Sequence, residues 1–504
     1  MSFRTRLYAR LMEAAKRGAS RSFARIPTRA RTREPVPTAS FAVAFGIPVD
    51  MDVATTLPPS ETLPLRERVG VAIVEVLQRL LPNRERKSRW VSRQEVDLAI
   101  AVVIDSEPGV QGLWPDYDTD AAFARQIVQG PTAPILERRG SEFVVDTTML
   151  AGLPRWPGTS PLGVLTVIDF GSDGEPHPVR IELEGGEIVR PVDGERWRIA
   201  KLVAAAAMQT WVVVGPHLMH THFLTAGALA TLCLEDLPPD HAVRLLMAPH
   251  ILGTLAVNHR AGRTLLGPHG NVQAVYSFPW PSVQTLVARA IAAFDPVQFD
   301  PPMALRARGL TEIAEAGHYP YGQDALLLWE AIHAHTQGWI AAAYADDAAL
   351  RSDADLSRFL ARAPRFIPGG IPASSRTELS RSLARMIFAV TGHHKLVGGI
   401  SLEFLTHPYF MPHRVGEGTT VEAVVPWREE TEANLAAKYG TTYRTWRLVA
   451  DWSHFMPDAA SGARMAQFQS ALHAVGATID ERNRSRRWPF PHLHPDGLES
   501  SVAV

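Results

Sequence analysis

Pro216-His217-Leu-Met-His220-Thr-His222 puts three imidazoles into six residues of a run that is otherwise mostly apolar from Leu202 to Cys233. His217 and His222 are five positions apart. An ideal α-helix separates such residues by about 140° around its axis, on different faces. A π-bulge adds one residue to the turn and returns the pair to one face, and such bulges favour functional sites. Pro216, which has no N–H to give the ladder, loosens the helix at that place. Two other readings stand beside this one: a metal pair His217 and His220, spaced i and i+3 on an ordinary α-helix, or three imidazoles that simply pack in a core or face water. The metalloprotease signature His-Glu-x-x-His is absent.

Around this stretch the chain has the composition of an ordinary globular protein. It is 504 residues long, 46% hydrophobic and 20% charged, with a formal net charge of -1. That balance gives no reason to expect a nucleic-acid partner. The sole cysteine, Cys233, excludes an internal disulfide and suits a reducing, cytoplasmic compartment. Gln209, Pro216 and the histidines interrupt the apolar run, whereas a bilayer span needs about 20 predominantly apolar residues. The run therefore reads as a buried core helix followed by a second one.

Charge is uneven at the start. Residues 1–33 carry ten Arg or Lys and one acid, Glu13. Phe3, Leu7, Leu11 and Met12 are interleaved with these bases, so the segment is either a solvated tail or a peripheral contact with anionic lipid headgroups. We divide the chain into a basic, weakly structured arm (1–40), a helical N-terminal region (41–114) and a large domain (115–504). Residues 65–112 read mostly helical, as in Val71-Ala-Ile-Val-Glu-Val-Leu-Gln-Arg-Leu-Leu. From Ser141 to Val192 the pattern turns to strands, with Phe143-Val-Val-Asp, Val164-Leu-Thr-Val-Ile-Asp and Val179-Arg-Ile-Glu-Leu punctuated by Gly171-Ser-Asp-Gly. Helical periodicity returns at Arg198–Leu266, Asp324–Tyr344 and Ser380–Leu396. The fold class expected is mainly α with a small antiparallel β region ahead of the histidine helix.

Several motifs, in order, resemble the lipoxygenase family. Asp120-Ala-Ala-Phe-Ala-Arg-Gln-Ile-Val-Gln-Gly130 is similar to its Phe-x-Arg-Gln-x-x-x-Gly run. Ser141-Glu-Phe-Val-Val-Asp and Pro161-Leu-Gly-Val-Leu resemble its strand region, and Trp197-Arg-Ile-Ala-Lys201 the start of its ligand helix. His217-Leu-Met-His-Thr-His222 is similar to its His-x4-His. Asp240-His-Ala-Val-Arg-Leu-Leu-Met-Ala-Pro-His250, Tyr319-Pro-Tyr-Gly-Gln-Asp-Ala-Leu-Leu-Leu-Trp329, Ile479-Asp-Glu-Arg-Asn483, Pro489-Phe and Pro495-Asp-Gly-Leu-Glu-Ser-Ser-Val-Ala-Val504 continue the likeness. Together they cover about residues 115–504.

The resemblance implies a helical catalytic domain with one non-haem iron cycling between Fe2+ and Fe3+, held by His217, His222, His394 and the terminal carboxylate of Val504. Of the adjacent His393 and His394, matching Val397 to the family's His-x-x-Val-Asn selects His394. That match puts Gly398 at the usual Asn ligand position, where glycine has nothing to coordinate with, and Ser401 where a Gln is usual. The implied activity is a dioxygenase reaction: a ferric hydroxide abstracts hydrogen from the 1,4-pentadiene unit of a polyunsaturated fatty acid, and O2 adds to give a conjugated hydroperoxide. Leu218, Ala261, Leu265 and Leu266 fall where the family lines its substrate channel, Ala261 at the position that governs oxygen access. Arg260 is a candidate partner for the fatty-acid carboxylate. The chain's start resembles compact microbial members that lack the N-terminal β-sandwich. Gly398 and Ser401 keep two alternatives in view: a lipid-binding relative without turnover, and an iron enzyme acting on another apolar diene or on hydroperoxides.

Overall fold

The computed structural model describes residues 32–62, 119–399, 411–424 and 446–502. The basic residues 1–31, the helical pattern at 65–112, Ser401 and the Val504 carboxylate lie outside them.

In the first described segment, strands β1 (Thr38–Ser40) and β2 (Asp52–Ala54) pair antiparallel, with Thr38 opposite Ala54. Between them the short helix α1 (Phe41–Phe45) turns Phe41 inward, where it meets Phe223 edge-on at 5.7 Å. This segment therefore packs directly beside His222.

The expected antiparallel region is present. Strands β3 (Glu137–Arg139), β4 (Glu142–Asp146), β5 (Leu165–Phe170), β6 (Pro176–Glu182) and β7 (Ile188–Val189) form one sheet in sequence order. In β6, Pro178 and Ile181 are buried while Val179 and Arg180 between them are accessible. Strict two-residue alternation is interrupted there because the β5–β6 register shifts: Ile168 faces Pro178 and Val167 faces Arg180, which leaves Val179 as the extra residue of a bulge. Helix α2 (Asp120–Gln129) packs on this sheet. Thr119 caps α2 by accepting from Ala122 N–H at 3.1 Å, the usual role of a threonine at that position. Asp120, in its first turn, accepts from Trp197 Nε1 at 2.8 Å and from Lys201 Nζ at 2.7 Å. The sheet region is thus tied to the start of the next helix.

That helix is the centre of the molecule. It runs as α3 (Glu195–Val212), continues as a π-helix over Val213–Gly227 and ends as α4 (Ala228–Asp236). The two helices expected across this stretch are therefore one continuous element, and the π geometry extends over 15 residues where a single bulge was expected. Threonine hydroxyls record the change of ladder. Thr210 and Thr231, outside the π segment, bond to the carbonyl four residues back, Ala206 at 2.7 Å and Gly227 at 2.8 Å. Thr221 and Thr225, inside it, bond five back, to Pro216 and His220, each at 2.7 Å. Between its charged ends the helix is largely apolar, and its most apolar window is mostly enclosed by protein, as expected of a core helix.

Around it pack α5 (Ala242–Ile251), α6 (Thr254–Thr264) and α7 (Trp280–Ala292). Farther out, α8 (Pro320–Ala343) packs on α9 (Arg376–Phe388) and on α10 (Ala459–Ser485). α9 also passes into π geometry, over Ala389–His393 and Lys395–Gly399. Both histidine-bearing helices thus widen where their histidines lie.

Candidate metal centre

The two π segments bring His217, His222 and His394 together, one donor nitrogen from each lying within 4.8 Å of the others. The ring centroids form a triangle of 4.8, 4.9 and 5.2 Å. His222 and His394 are buried, and His217 keeps partial exposure. In a wider π turn the i and i+5 side chains share a face, which is why His217 and His222 meet here.

Hydrogen bonds set the orientation of His222. Asn258 on α6 donates its Nδ2 to the backbone carbonyl of His222 at 2.5 Å, which fixes the amide so that its Oδ1 faces the ring. That Oδ1 lies 3.0 Å from Nδ1, so Nδ1 carries the proton and Nε2 presents a lone pair to the cluster. Asn258 is itself positioned through the start of α6, where buried Glu61 accepts from Gly253 N–H at 2.9 Å. On the other side, Glu499 stands 3.7 Å from Nδ1 of His394.

The two donor spacings that involve His222 fit a metal. His222 Nε2 is 3.1 Å from His217 Nε2 and 3.1 Å from His394 Nε2. Neighbouring donors on an octahedral ion with bonds of about 2.1 Å stand about 3.0 Å apart, whereas a tetrahedron spreads them to about 3.4 Å. Burial lowers the proton affinity of all three rings: it holds His217 and His394 well below the ordinary histidine range and pushes His222 down to about 4. Next to burial, the mutual repulsion of the imidazolium forms depresses His217 and His394 further, while the Asn258 hydrogen bond partly opposes burial at His222. Three neutral imidazoles brought together in this way could hold a transition metal.

The remaining histidines separate cleanly. His220 turns to α7, with Nε2 2.7 Å from the Ala290 carbonyl and Nδ1 3.1 Å from Gln298 Oε1, so the i, i+3 pair with His217 does not form. His393 packs edge-on against Phe299 at 4.8 Å and leaves the cluster to His394. Val502 is buried with Ala226 and Val390, one from each π segment. Ser500 and Ser501 anchor the approach: the Ser500 carbonyl meets His250 Nδ1 at 2.8 Å, and Ser501 Oγ donates to the Leu252 carbonyl at 2.7 Å. The chain is therefore threaded between the two histidine helices as far as it is described.

Of the expected channel residues, Leu218, Ala261 and Leu266 are buried and Leu265 is partly so. A small apolar cavity lies elsewhere, between the π-helix and α9, lined by Thr225, Phe294, Phe299, Ile371, Pro372 and Met386 among others. Asn258 and Glu499 were not singled out from the sequence. The available signal for Asn258 was its place three residues before Ala261, on the same helical face.

Comparison with known proteins agrees with this architecture. Residues 187–365 match the lipoxygenase family model. The linoleate 9/13-lipoxygenase of Pseudomonas aeruginosa is 28% identical over 377 residues, covering 69% of this chain and 53% of the relative. The hydroperoxide isomerase ALOXE3 of Homo sapiens is 28% identical over 375 residues, covering 68% of this chain and 50% of the relative. The chain thus spans about half the length of these curated relatives. A solved LOX in complex with arachidonate superposes with a TM-score of 0.80 at 18% identity, over 99% of this chain and 81% of that one. This last likeness establishes the fold, a helical domain carrying a small antiparallel sheet. Over residues 187–365 the chain is similar to lipoxygenases, and it shares their fold.

Proposed function

We propose that the protein is a non-haem iron dioxygenase that inserts O2 into the 1,4-pentadiene unit of a polyunsaturated fatty acid to give a conjugated hydroperoxide. The observation that carries this reading is the triangle of neutral imidazoles, His217, His222 and His394, two of them buried. A redox-active iron bound there would supply hydrogen-atom abstraction from a weak bis-allylic C–H.

The protein's own residues have definable tasks in that reaction. Asn258 fixes the tautomer and ring plane of His222, and Glu499 flanks His394, the outer partners that raise ligand basicity. The Val504 carboxylate would be the fourth protein donor, delivered by the threaded segment that ends the described chain at Val502. Leu218, Ala261, Leu265 and Leu266 would form the apolar wall that holds the diene and excludes water. Arg260 would meet the fatty-acid carboxylate. Outside this site, the basic arm would provide peripheral attachment to anionic lipid from the cytoplasmic side.

A second reading, isomerisation of fatty-acid hydroperoxides, is favoured by the relatives named for that activity. A third, lipid binding without turnover, draws on Gly398 at a usual ligand position. One experiment separates the three: the purified protein is analysed for iron, then given linoleate, arachidonate or their hydroperoxides while oxygen and conjugated diene are followed. Oxygen uptake with diene formation supports the dioxygenase. Hydroperoxide loss without oxygen uptake replaces it with the isomerase, and iron with neither reaction leaves a binding protein.

A further inference from the structure

Gly398 stands in the π segment Lys395–Gly399 and is buried. It is not among the glycines with positive φ, so its backbone conformation does not call for glycine. Inside a helix glycine is unfavourable relative to alanine, and some other demand must keep a side chain out. The surroundings supply it. A β-carbon built on Gly398 would fall 2.4 Å from Nε2 of His217, 2.7 Å from its Cδ2 and 3.1 Å from its Cε1. These distances are well inside van der Waals contact, and the atom met first is the one that faces the metal cluster.

We propose that Gly398 is the positioning residue for His217: its missing side chain clears the space into which the His217 imidazole leans to reach His222 and His394. On this view Gly398 is not merely a lost ligand. The two helices share one space, and it holds either a side chain at 398 or the ring of His217 in its present place. A side chain at 398 would push the His217 ring off the position it now holds. The inference rests on the metal reading of the same cluster, but the steric part of it holds for the metal-free protein as well.

The test is a double-mutant cycle on the full chain, with Gly398→Ala and Gly398→Asn each made alone and combined with His217→Ala. Thermal unfolding of metal-stripped protein reads the steric coupling. Gly398→Ala is expected to lower Tm in the wild-type background and to leave it unchanged or raise it when His217 is alanine, the ordinary sign for such a change in a helix. If Gly398→Ala alone yields no folded protein, recovery of folding in the double variant is the same result. Titration with ferrous iron alone gives the second readout: Gly398→Ala and Gly398→Asn are each expected to weaken iron binding at least tenfold.

Equal Tm shifts in both backgrounds, or iron binding kept or improved by either substitution at 398, would overturn the proposal. Coupling in Tm with no iron bound by the wild type would retain the steric role and remove the metal reading. Iron bound by the wild type without coupling would do the reverse.

Discussion

Asn258 grips His222 twice, its Oδ1 3.0 Å from the ring Nδ1 and its Nδ2 2.5 Å from the backbone carbonyl. The two contacts act on different freedoms. One fixes the tautomer and plane of the imidazole, and the other holds the π-helix backbone at His222. Asn258→Ala removes both, and partners of this kind typically contribute 10- to 100-fold in metal affinity. We therefore expect an iron dissociation constant about 10–100 times weaker at little cost in secondary structure, measured by titration with ferrous iron and by circular dichroism. Unaltered affinity would show that His222 is held by its own helix alone.

His217 and His220 lie three residues apart and should behave oppositely. His220→Ala leaves the Ala290 carbonyl, 2.7 Å from the lost Nε2, without that partner in a buried setting. Such a loss costs about 1–3 kcal/mol of stability, while iron should be retained. His217→Ala should release iron with a smaller change in stability, because this ring keeps some exposure. Iron analysis and denaturant unfolding of the two variants decide the matter, and the reverse pattern would restore the ordinary α-helical pair.

The difference between those histidines also marks how much of the site was legible. Five-residue spacing around Pro216 pointed to a widened turn because an α-helix cannot bring His217 and His222 together, but local residues could not say that the π ladder would run for 15 residues. That extent is shared with packing against α6 and α7. Strands at Phe143, Val167 and Ile181 were readable from β-branched and aromatic runs bounded by turn residues, although β4 and β5 each bury three successive residues and so show no alternation. His394 was separable from His393 only through the spacing to Val397, as both are buried and adjacent. Asn258 and Glu499 gave no local signature: each meets a histidine that is distant in sequence, and such contacts belong to the tertiary structure.

Buried histidines outside the cluster predict how stability follows pH. His250 bonds to the Ser500 carbonyl and His335 stacks on Phe468 at 4.2 Å, and burial pushes the first down to about 4 and the second to about 3. The unfolded chain, with ordinary values near 6.5, binds more protons than the folded one between that pH and these values. Stability is therefore full near neutrality and falls as pH drops below about 6.5, by about 2 kcal/mol per group at pH 5. His335→Phe should retain the stack and make the decline between pH 7 and pH 5 shallower in urea unfolding. An unchanged slope would mean that His335 is protonated in the folded protein.

Asp324 joins α8 to the end of α10. It is fully buried and receives Arg482 at 2.8 Å and both arms of Arg486 at 2.7 and 2.8 Å. Breaking such a group from one side leaves buried guanidinium charge uncompensated, which typically costs about 3–5 kcal/mol. Asp324→Ala should lose stability on that scale. Arg484→Ala, which removes the exposed pair with Glu481 one turn away, should stay within about 0.5 kcal/mol. Equal unfolding midpoints for the two would show that the buried group is not an anchor.

Val502 is buried against Ala226 and Val390, and both residues sit within four positions of a cluster histidine, His222 and His394 respectively. Ser501, bonded to the Leu252 carbonyl at 2.7 Å, holds the chain there. A terminal carboxylate directed inward would be costly without a cation to meet it. If Val504 supplies the fourth donor, deleting it moves the carboxylate back by one residue, and appending two glycines puts an uncharged amide in its place. Either change should abolish iron retention while the anchors at Ser500 to Val502 keep Tm near that of the metal-free wild type. Full iron content in both variants would remove Val504 from the ligand set and leave the three imidazoles to be completed by water.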